Sequence, residues 1–300
     1  MSSGGRADWY LSRTGPDDEP ADRGPGLAAY DTPRRWRLRL TPHDDPYLLD
    51  HLVAGEPTLP GTFMLEIAAE ATRRVIPGSV PTGFRDAEFT TFVRPPTARA
   101  HTEFTVHATQ IVPHRVHVTL ERRLLPRGDA TRARHHTCFR TDVLIGTPGP
   151  PPTPHPPATD GAPVTDPYYR PDSPVLLRGV FHNTRDGRVT ATHRTARWTP
   201  DLARADWLSH FTVPSLLLCA TLRTAALPPG PHGEQTLYVP RHLGHIDLFT
   251  PGLGDTALTA HHGDGITLHG TADGEFRADA PDGTVLLEIR DARLAALGTV

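Results

Sequence analysis

The feature that most constrains the fold is a proline-rich divider, Gly146 to about Pro167, which contains Pro-Gly-Pro-Pro-Pro-Thr-Pro-His-Pro-Pro. Such a stretch is extended and semi-rigid, and reads as a spacer. It separates two halves of similar size that repeat one order of elements. In the first half, Trp36 to Leu40 alternates apolar and polar residues as a half-buried strand does. A run of helix formers from about Thr62 to Ile76 stops at Pro77-Gly78. Strand-like runs follow at Phe84 to Phe92, Thr102 to Val112, Arg115 to Leu125 and Arg134 to Ile145. In the second half a strand pair is expected, Val175 to Asn183 and Arg188 to Trp198, with Arg185-Asp-Gly187 as its hairpin turn. An apolar helical run, Pro214 to Leu227, ends at Pro228-Pro-Gly230. Further runs follow at Gln235 to Val239, Gly244 to Phe249, Thr256 to His261, Ile266 to Thr271, Gly274 to Ala280 and Thr284 to Leu297. Two halves, each a helix plus antiparallel strands, predict an α+β pseudo-dimer that shares one site. The expected organisation is an unstructured segment 1–29 with at most a short docking turn, a unit 30–146, a linker 147–167 and a second unit 168–300.

Charge and cysteine content exclude several classes of function. The formal net charge is −3, which gives no footing for nucleic acid or an anionic membrane surface. Cys138 and Cys219 are the only cysteines, so there is no disulfide framework, and a reducing cytoplasm is expected. No apolar run reaches the ~18–20 residues of a membrane span, and Met1 to Arg6 has no signal-like apolar core. The 18 histidines include the pairs His135-His136 and His261-His262, but no H-E-x-x-H or C-x-x-C spacing accompanies them. No metal site is therefore expected.

Chemistry is concentrated at His51-Leu-Val-Ala-Gly55-Glu-Pro57-Thr-Leu-Pro60-Gly61, immediately before the first helix. A helix start offers unpaired backbone N–H groups and a positive dipole end. An imidazole delivered there can take a proton next to a carbonyl while the amides steady the developing oxyanion. His43 lies in a polar loop without a helix behind it and reads as a surface histidine. The apolar residues of the helix, Phe63, Ile67, Ala68 and their neighbours, form a broad stripe and read as core.

His51, Gly55 and Pro60 fit H-x-x-x-G-x-x-x-x-P, and with Gly61 the stretch resembles the dehydratase domains of modular polyketide synthases. The resemblance spans residues ~34 to ~297 as a fold. It implies a double hot-dog: two long helices, each wrapped by a curved antiparallel sheet. It also implies His51 as general base on an acyl thioester, with Gly55, Pro60 and Gly61 shaping the substrate site. No cofactor is implied beyond the phosphopantetheine arm of an acyl carrier protein. The implied partner is that carrier protein or a polyketide synthase, with self-association left open.

The second half departs from the family. Its usual stretch is His-Pro-x-Leu-Leu-Asp-Ala-x-x-Gln-Thr, whereas this chain has Pro214-Ser-Leu-Leu-Leu-Cys219-Ala-Thr-Leu-Arg223-Thr224. Aligning the Leu-Leu pair and the Thr puts Cys219 at the Asp position and Arg223 at the Gln position. Counting from Pro214 puts Leu218 there instead. Either way the acid is missing. A thiol is a weak donor with an ordinary pKa near ~8.5, which a helix N-terminus could lower. The plain alternative is that Cys219 is a small apolar core residue. Arg223 faces either solvent or the phosphopantetheine entrance. The Tyr-Gly-Pro and Leu-Pro-Phe-x-Trp motifs of the family are also absent.

Three functional expectations result. The first is a dehydratase-like enzyme with His51 as base, running dehydration, double-bond isomerisation or oxa-Michael cyclisation. The second is a non-catalytic double hot-dog scaffold for a synthase. The third is a hot-dog thioesterase or hydratase, for which Glu56 and Glu66 are the candidate carboxylates.

Overall fold

The computed structural model describes residues 8–13, 33–96, 102–124, 134–153, 161–227, 236–271 and 273–299. In the first half, β1 (Arg34–Leu38) precedes a short hairpin of β2 (His51–Val53) and β3 (Glu56–Pro57). Then come α1 (Gly61–Val75), β4 (Pro81–Phe89), β5 (Thr102–Val112), β6 (Arg115–Leu124) and β7 (Arg134–Ile145). The second half runs β8 (Ala162–Val164), β9 (Val175–Leu177), β10 (Thr184–Val189), β11 (His193–Trp198) and α2 (Ser215–Arg223). It continues with β12 (Thr236–Leu248), α3 (Asp255–His262), β13 (Thr267–Thr271), β14 (Phe276–Asp279) and β15 (Val285–Thr299).

One 12-stranded sheet runs β1-β5-β6-β7-β4-β12-β15-β14-β13-β11-β10-β8. Its centre is the antiparallel β4–β12 seam, where Phe84 faces Ile246. Outward from that seam the order is β4, β7, β6, β5, β1 on one side and β12, β15, β14, β13, β11 on the other. In both halves the first strand after the helix is central and the last lies beside it; β1, from before α1, forms one edge, and β11, from before α2, comes fifth on the other side with β10 and β8 beyond it. The repeated order expected from the sequence is thus a repeated topology, the α+β double hot-dog.

Helix α1 is buried continuously from Thr62 to Thr72, as a wrapped helix must be. That burial includes two carboxylates, Glu66 and Glu70. Glu66, one of the two candidate carboxylates, accepts the backbone N–H groups of Thr212 and Val213 at 3.0 and 2.7 Å and pairs with Arg73 at 3.2 Å. Glu70 accepts the N–H groups of Trp9, Tyr10 and Leu11. Burial pushes both carboxyl groups above the usual carboxylate range. The docking turn of the N-terminal segment is therefore Leu11–Arg13 with the residues before it, and Tyr10 and Leu11 are fully buried.

Other expectations need correction. Thr256 to His261, read as a strand, belongs to α3, which Gly254 and Gly263 bracket and whose Leu258 is buried. Alternating Thr, Ala and Leu residues fit either period over so short a run. Arg185-Asp-Gly187 is a bulge inside β10, with Asp186 at φ 53, and the chain returns at Thr190–Thr192 instead. The Gln235 and Gly244 runs are one strand, β12, broken in register at Pro240, which has no N–H for the ladder. The end of the proline-rich stretch is also structured: Ala162–Val164 pairs with β10, and Pro167 is buried.

Helix α2 follows Pro214 and has no side-chain cap of its own. Asp255, the first residue of α3, supplies one from a distance, accepting the N–H groups of Leu216 and Leu217, each at 2.9 Å. Asp255→Ala leaves both buried donors unpaired and is expected to lower the unfolding free energy by about 3 kcal/mol in urea titration.

Candidate active site

The spacing of the His51 stretch has a physical explanation in each of its residues. In the β2–β3 hairpin Val53 faces Glu56, so the loop is Ala54-Gly55 alone. Both loop residues have positive φ, 51° and 76°, the conformation of the tightest hairpin return and the reason for glycine at 55. That return sets Thr58 beside His51. The Thr58 N–H donates to the His51 carbonyl at 3.0 Å, and His51 Nδ1 lies 2.8 Å from the Thr58 carbonyl oxygen. A carbonyl only accepts, so Nδ1 carries the ring proton and Nε2 keeps its lone pair. Pro60 precedes the first turn of α1, which has no side-chain cap. A Cβ on Gly61 would press on Phe89 and Pro240, at 3.1 and 3.3 Å, so glycine lets β4 and β12 close over the helix start.

On its other edge β2 pairs with β9, His51 opposite Leu177, which ties the histidine to the second half of the chain. The ring lies against Phe181 with centroids 5.3 Å apart. Burial pushes its pKa down to about 4, and the Arg223 charge acts in the same direction against the hydrogen bonds. The base is therefore neutral throughout the physiological range. The sign for stability follows: the unfolded imidazole protonates near pH 6.5 and the folded one near 4. The fold therefore loses stability as pH falls across that window. In NMR titration the His51 ring is expected to remain neutral to about pH 4.

A cavity of about 360 Å³ opens beside this ring. Of the residues singled out in the sequence, His51, Pro60, Gly61, Cys219 and Arg223 all line it. Gly55 does not: it sits in the exposed turn and shapes the hairpin rather than the substrate site. Glu56 is exposed, and Glu66 is buried but absent from the cavity wall, which removes both candidate carboxylates of a thioesterase or hydratase. His43 is exposed. Leu218 is packed in the core, whereas Cys219 reaches the cavity.

Cys219 lies in the middle of α2 rather than at its start, so the dipole does not activate it. Burial pushes its thiol up, with Arg223 acting against that shift. It is a thiol, not a thiolate. Arg223 is not solvated either, being 5% exposed. Its Nη1 donates to the Phe181 carbonyl at 2.8 Å and its Nη2 to Asn183 Oδ1 at 2.5 Å. The Asp166 carboxylate lies 3.6 Å away, and the Tyr169 ring centroid 5.3 Å.

Sequence reasoning missed Asp166, Asn183 and Thr62. The first two fix Arg223 across gaps of 57 and 40 residues, which no local pattern reports. Tyr168 also lines the cavity, but the Tyr238 backbone occupies its hydroxyl, donating at 3.0 Å and accepting at 2.7 Å. Among the described residues no helix is long and apolar enough to cross a membrane.

Residues 27–130 match the family model of the polyketide synthase dehydratase domain. A search of curated protein sequences finds no significant match. Among solved structures, the dehydratase domain of the CurF module of curacin polyketide synthase is similar at a TM-score of 0.72 and 13% identity, covering 94% of this chain and 98% of that one. The CurK dehydratase of the same synthase gives 0.69 at 12%, with 90% and 94% covered. The PpsC dehydratase domain of Mycobacterium tuberculosis, solved with C12:1-CoA, gives 0.65 at 17%, with 89% and 95% covered. Residues 27–130 thus match the sequence model of the polyketide synthase dehydratase domain, and the chain as a whole shares the double hot-dog fold of the solved dehydratase domains.

Proposed function

We propose that this protein is a dehydratase-like enzyme of polyketide biosynthesis that uses His51 as general base on acyl thioesters carried by the phosphopantetheine of an acyl carrier protein. The observation that carries this reading is the bond between His51 Nδ1 and the Thr58 carbonyl, which leaves the Nε2 lone pair in a cavity shared with the start of α1. Family resemblance supports it. Forms of the CurK dehydratase changed at one histidine and at one aspartate are both inactive, and PpsC was solved with an acyl-CoA thioester.

The acid side decides among reactions. Dehydration needs a proton for the departing hydroxyl, and a half-buried thiol of raised pKa is a poor source. Arg223 holds its protons too tightly to give one. Two reactions need only the base. In double-bond isomerisation His51 takes a γ-proton and returns it to the α-carbon. In oxa-Michael cyclisation it takes a hydroxyl proton, the oxygen adds to the β-carbon, and the α-carbon regains the proton. The charge developing on the thioester oxygen falls at the uncapped start of α1.

The test is to incubate the purified protein with β-hydroxyacyl, enoyl and hydroxy-enoyl thioesters and follow each by mass spectrometry and NMR. Turnover of an enoyl substrate that disappears in His51→Ala is the expected result. Equal inertness of the wild type and His51→Ala on all three would sink the reading and leave the scaffold role.

A further inference from the structure

A ring held at Nδ1 alone, as the Thr58 carbonyl holds His51, can still swing about that bond and carry Nε2 away from a substrate. What blocks the swing comes from the second half of the chain. Phe181 lies against the imidazole with ring centroids 5.3 Å apart and planes tilted by 58°. It is fully buried and does not line the cavity, whereas His51 does, so it backs the ring on the side away from the cavity. Phe181 is wedged in turn against Phe63 of α1, with centroids 5.6 Å apart. Its backbone is held as well. The Phe181 N–H donates to the Arg178 carbonyl at 3.0 Å. Its carbonyl accepts from Arg223 Nη1 at 2.8 Å and from the Tyr169 hydroxyl at 3.3 Å.

The turn that carries Phe181 is joined to the residue before the base. The Arg178 N–H donates to the Asp50 carbonyl at 2.9 Å, which extends the β2–β9 pairing by one step. Gly179 follows with φ 50°, in the left-handed region that favours glycine. A Cβ there would overlap the Asp50 carboxyl. Glycine thus lets the turn close on Asp50 and place Phe181 behind the next residue, His51. We propose that Phe181 is a positioning residue for the base, and that through the turn from Arg178 to His182 the second half of the chain seats the histidine of the first. The proposal rests on His51 acting as base. Phe181 touches no substrate and acts through the imidazole. The same wedge keeps water from the back of the ring and adds to the burial that pushes the His51 pKa down. One side chain therefore bears on both the direction of the lone pair and its affinity for a proton.

Phe181→Leu opens room behind the imidazole and keeps Thr58 and Arg223, whose charge also acts on the ring. With an enoyl N-acetylcysteamine thioester as substrate, it is expected to lower kcat by about 10-fold and to change KM by less than about 2-fold. In NMR titration the His51 pKa is expected to move from about 4 toward 6.5, and the acid limb of the kcat/KM profile to move with it. Phe211→Leu is the control, since Phe211 is equally buried and packs on Phe63, with centroids 5.4 Å apart, rather than on His51. It is expected to lose comparable stability in urea while kcat stays within about 2-fold and the His51 pKa stays at about 4. Gly179→Ala, at an exposed position, disturbs the turn without opening the core. It is expected to lower kcat by about 3-fold, with recovery when Asp50→Ala is added. Phe181→Leu with unchanged kcat and unchanged His51 pKa overturns the assignment. So does a Phe211→Leu variant that shifts both as far, because general loosening then explains the loss. If Phe181→Leu does not fold, Gly179→Ala decides, and full activity there overturns the proposal. The NMR readout needs no substrate: a wild type inert on every thioester, with a His51 pKa that Phe181→Leu still shifts, removes the base reading and leaves the seat.

Discussion

His51→Ala is expected to reduce turnover by about 10³-fold and to leave the fold intact. The activity loss follows from removing the positioned base of the cavity, a contribution of about 10²–10⁴ in general. The small stability effect follows from what the ring touches. It makes one side-chain hydrogen bond, to the Thr58 carbonyl, and it is only partly buried by protein because one face opens to the cavity. Losing that bond costs about 1 kcal/mol near neutral pH. Below about pH 6 the sign reverses. The wild type then holds a neutral ring that its unfolded chain would protonate, a penalty the alanine variant lacks. Chemical denaturation at pH 7 and at pH 4.5 separates the two terms. Activity lost together with a large loss of stability at pH 7 would make His51 a packing residue instead. Unchanged activity would leave the scaffold role.

What the sequence disclosed and what it hid divide by distance along the chain. The placement of His51 just ahead of a helix start was legible because it is local, within residues 51 to 61, whereas the β2–β3 hairpin and the Thr58 carbonyl that orients the ring were not foreseen. Long alternating strands were legible for the same reason, and Thr102–Val112 and Arg134–Ile145 have their expected bounds. The acid side was not. Arg223 looked like a solvent residue because the groups that bury it, Phe181, Asn183 and Asp166, lie on distant segments, one of them at the end of a stretch that composition marks as linker. The burial of Glu66 and Glu70 was not legible because their partners include backbone N–H groups, which side-chain patterns do not show. Asp255 caps α2 from another helix, so no capping motif precedes Ser215.

Dehydration is expected to return with two changes and not with one. Cys219→Asp alone places a carboxyl one helical turn from the Arg223 guanidinium, whose charge already pulls against burial at the Cys219 thiol. An i, i+4 pair with a buried arginine holds that carboxyl ionised, and an ionised carboxylate cannot protonate a leaving hydroxyl. Adding Arg223→Gln removes the charge. Burial then dominates and raises the new acid, as it raises Asp255 to about 7 in the same helix layer. A protonated carboxyl at position 219 beside a neutral His51 is the acid–base pair that dehydration requires, and the rate of enoyl formation from a β-hydroxyacyl thioester is expected to rise by about 10²-fold over the wild type. The double variant sacrifices the Arg223 interactions with Phe181, Asn183 and Asp166, at a cost of about 3 kcal/mol, so its folding is checked by denaturation at the assay temperature. Dehydration by Cys219→Asp alone, at the rate of the double variant, would show that Arg223 does not govern the protonation of residue 219, and would move the choice of reaction from that arginine back to the thiol.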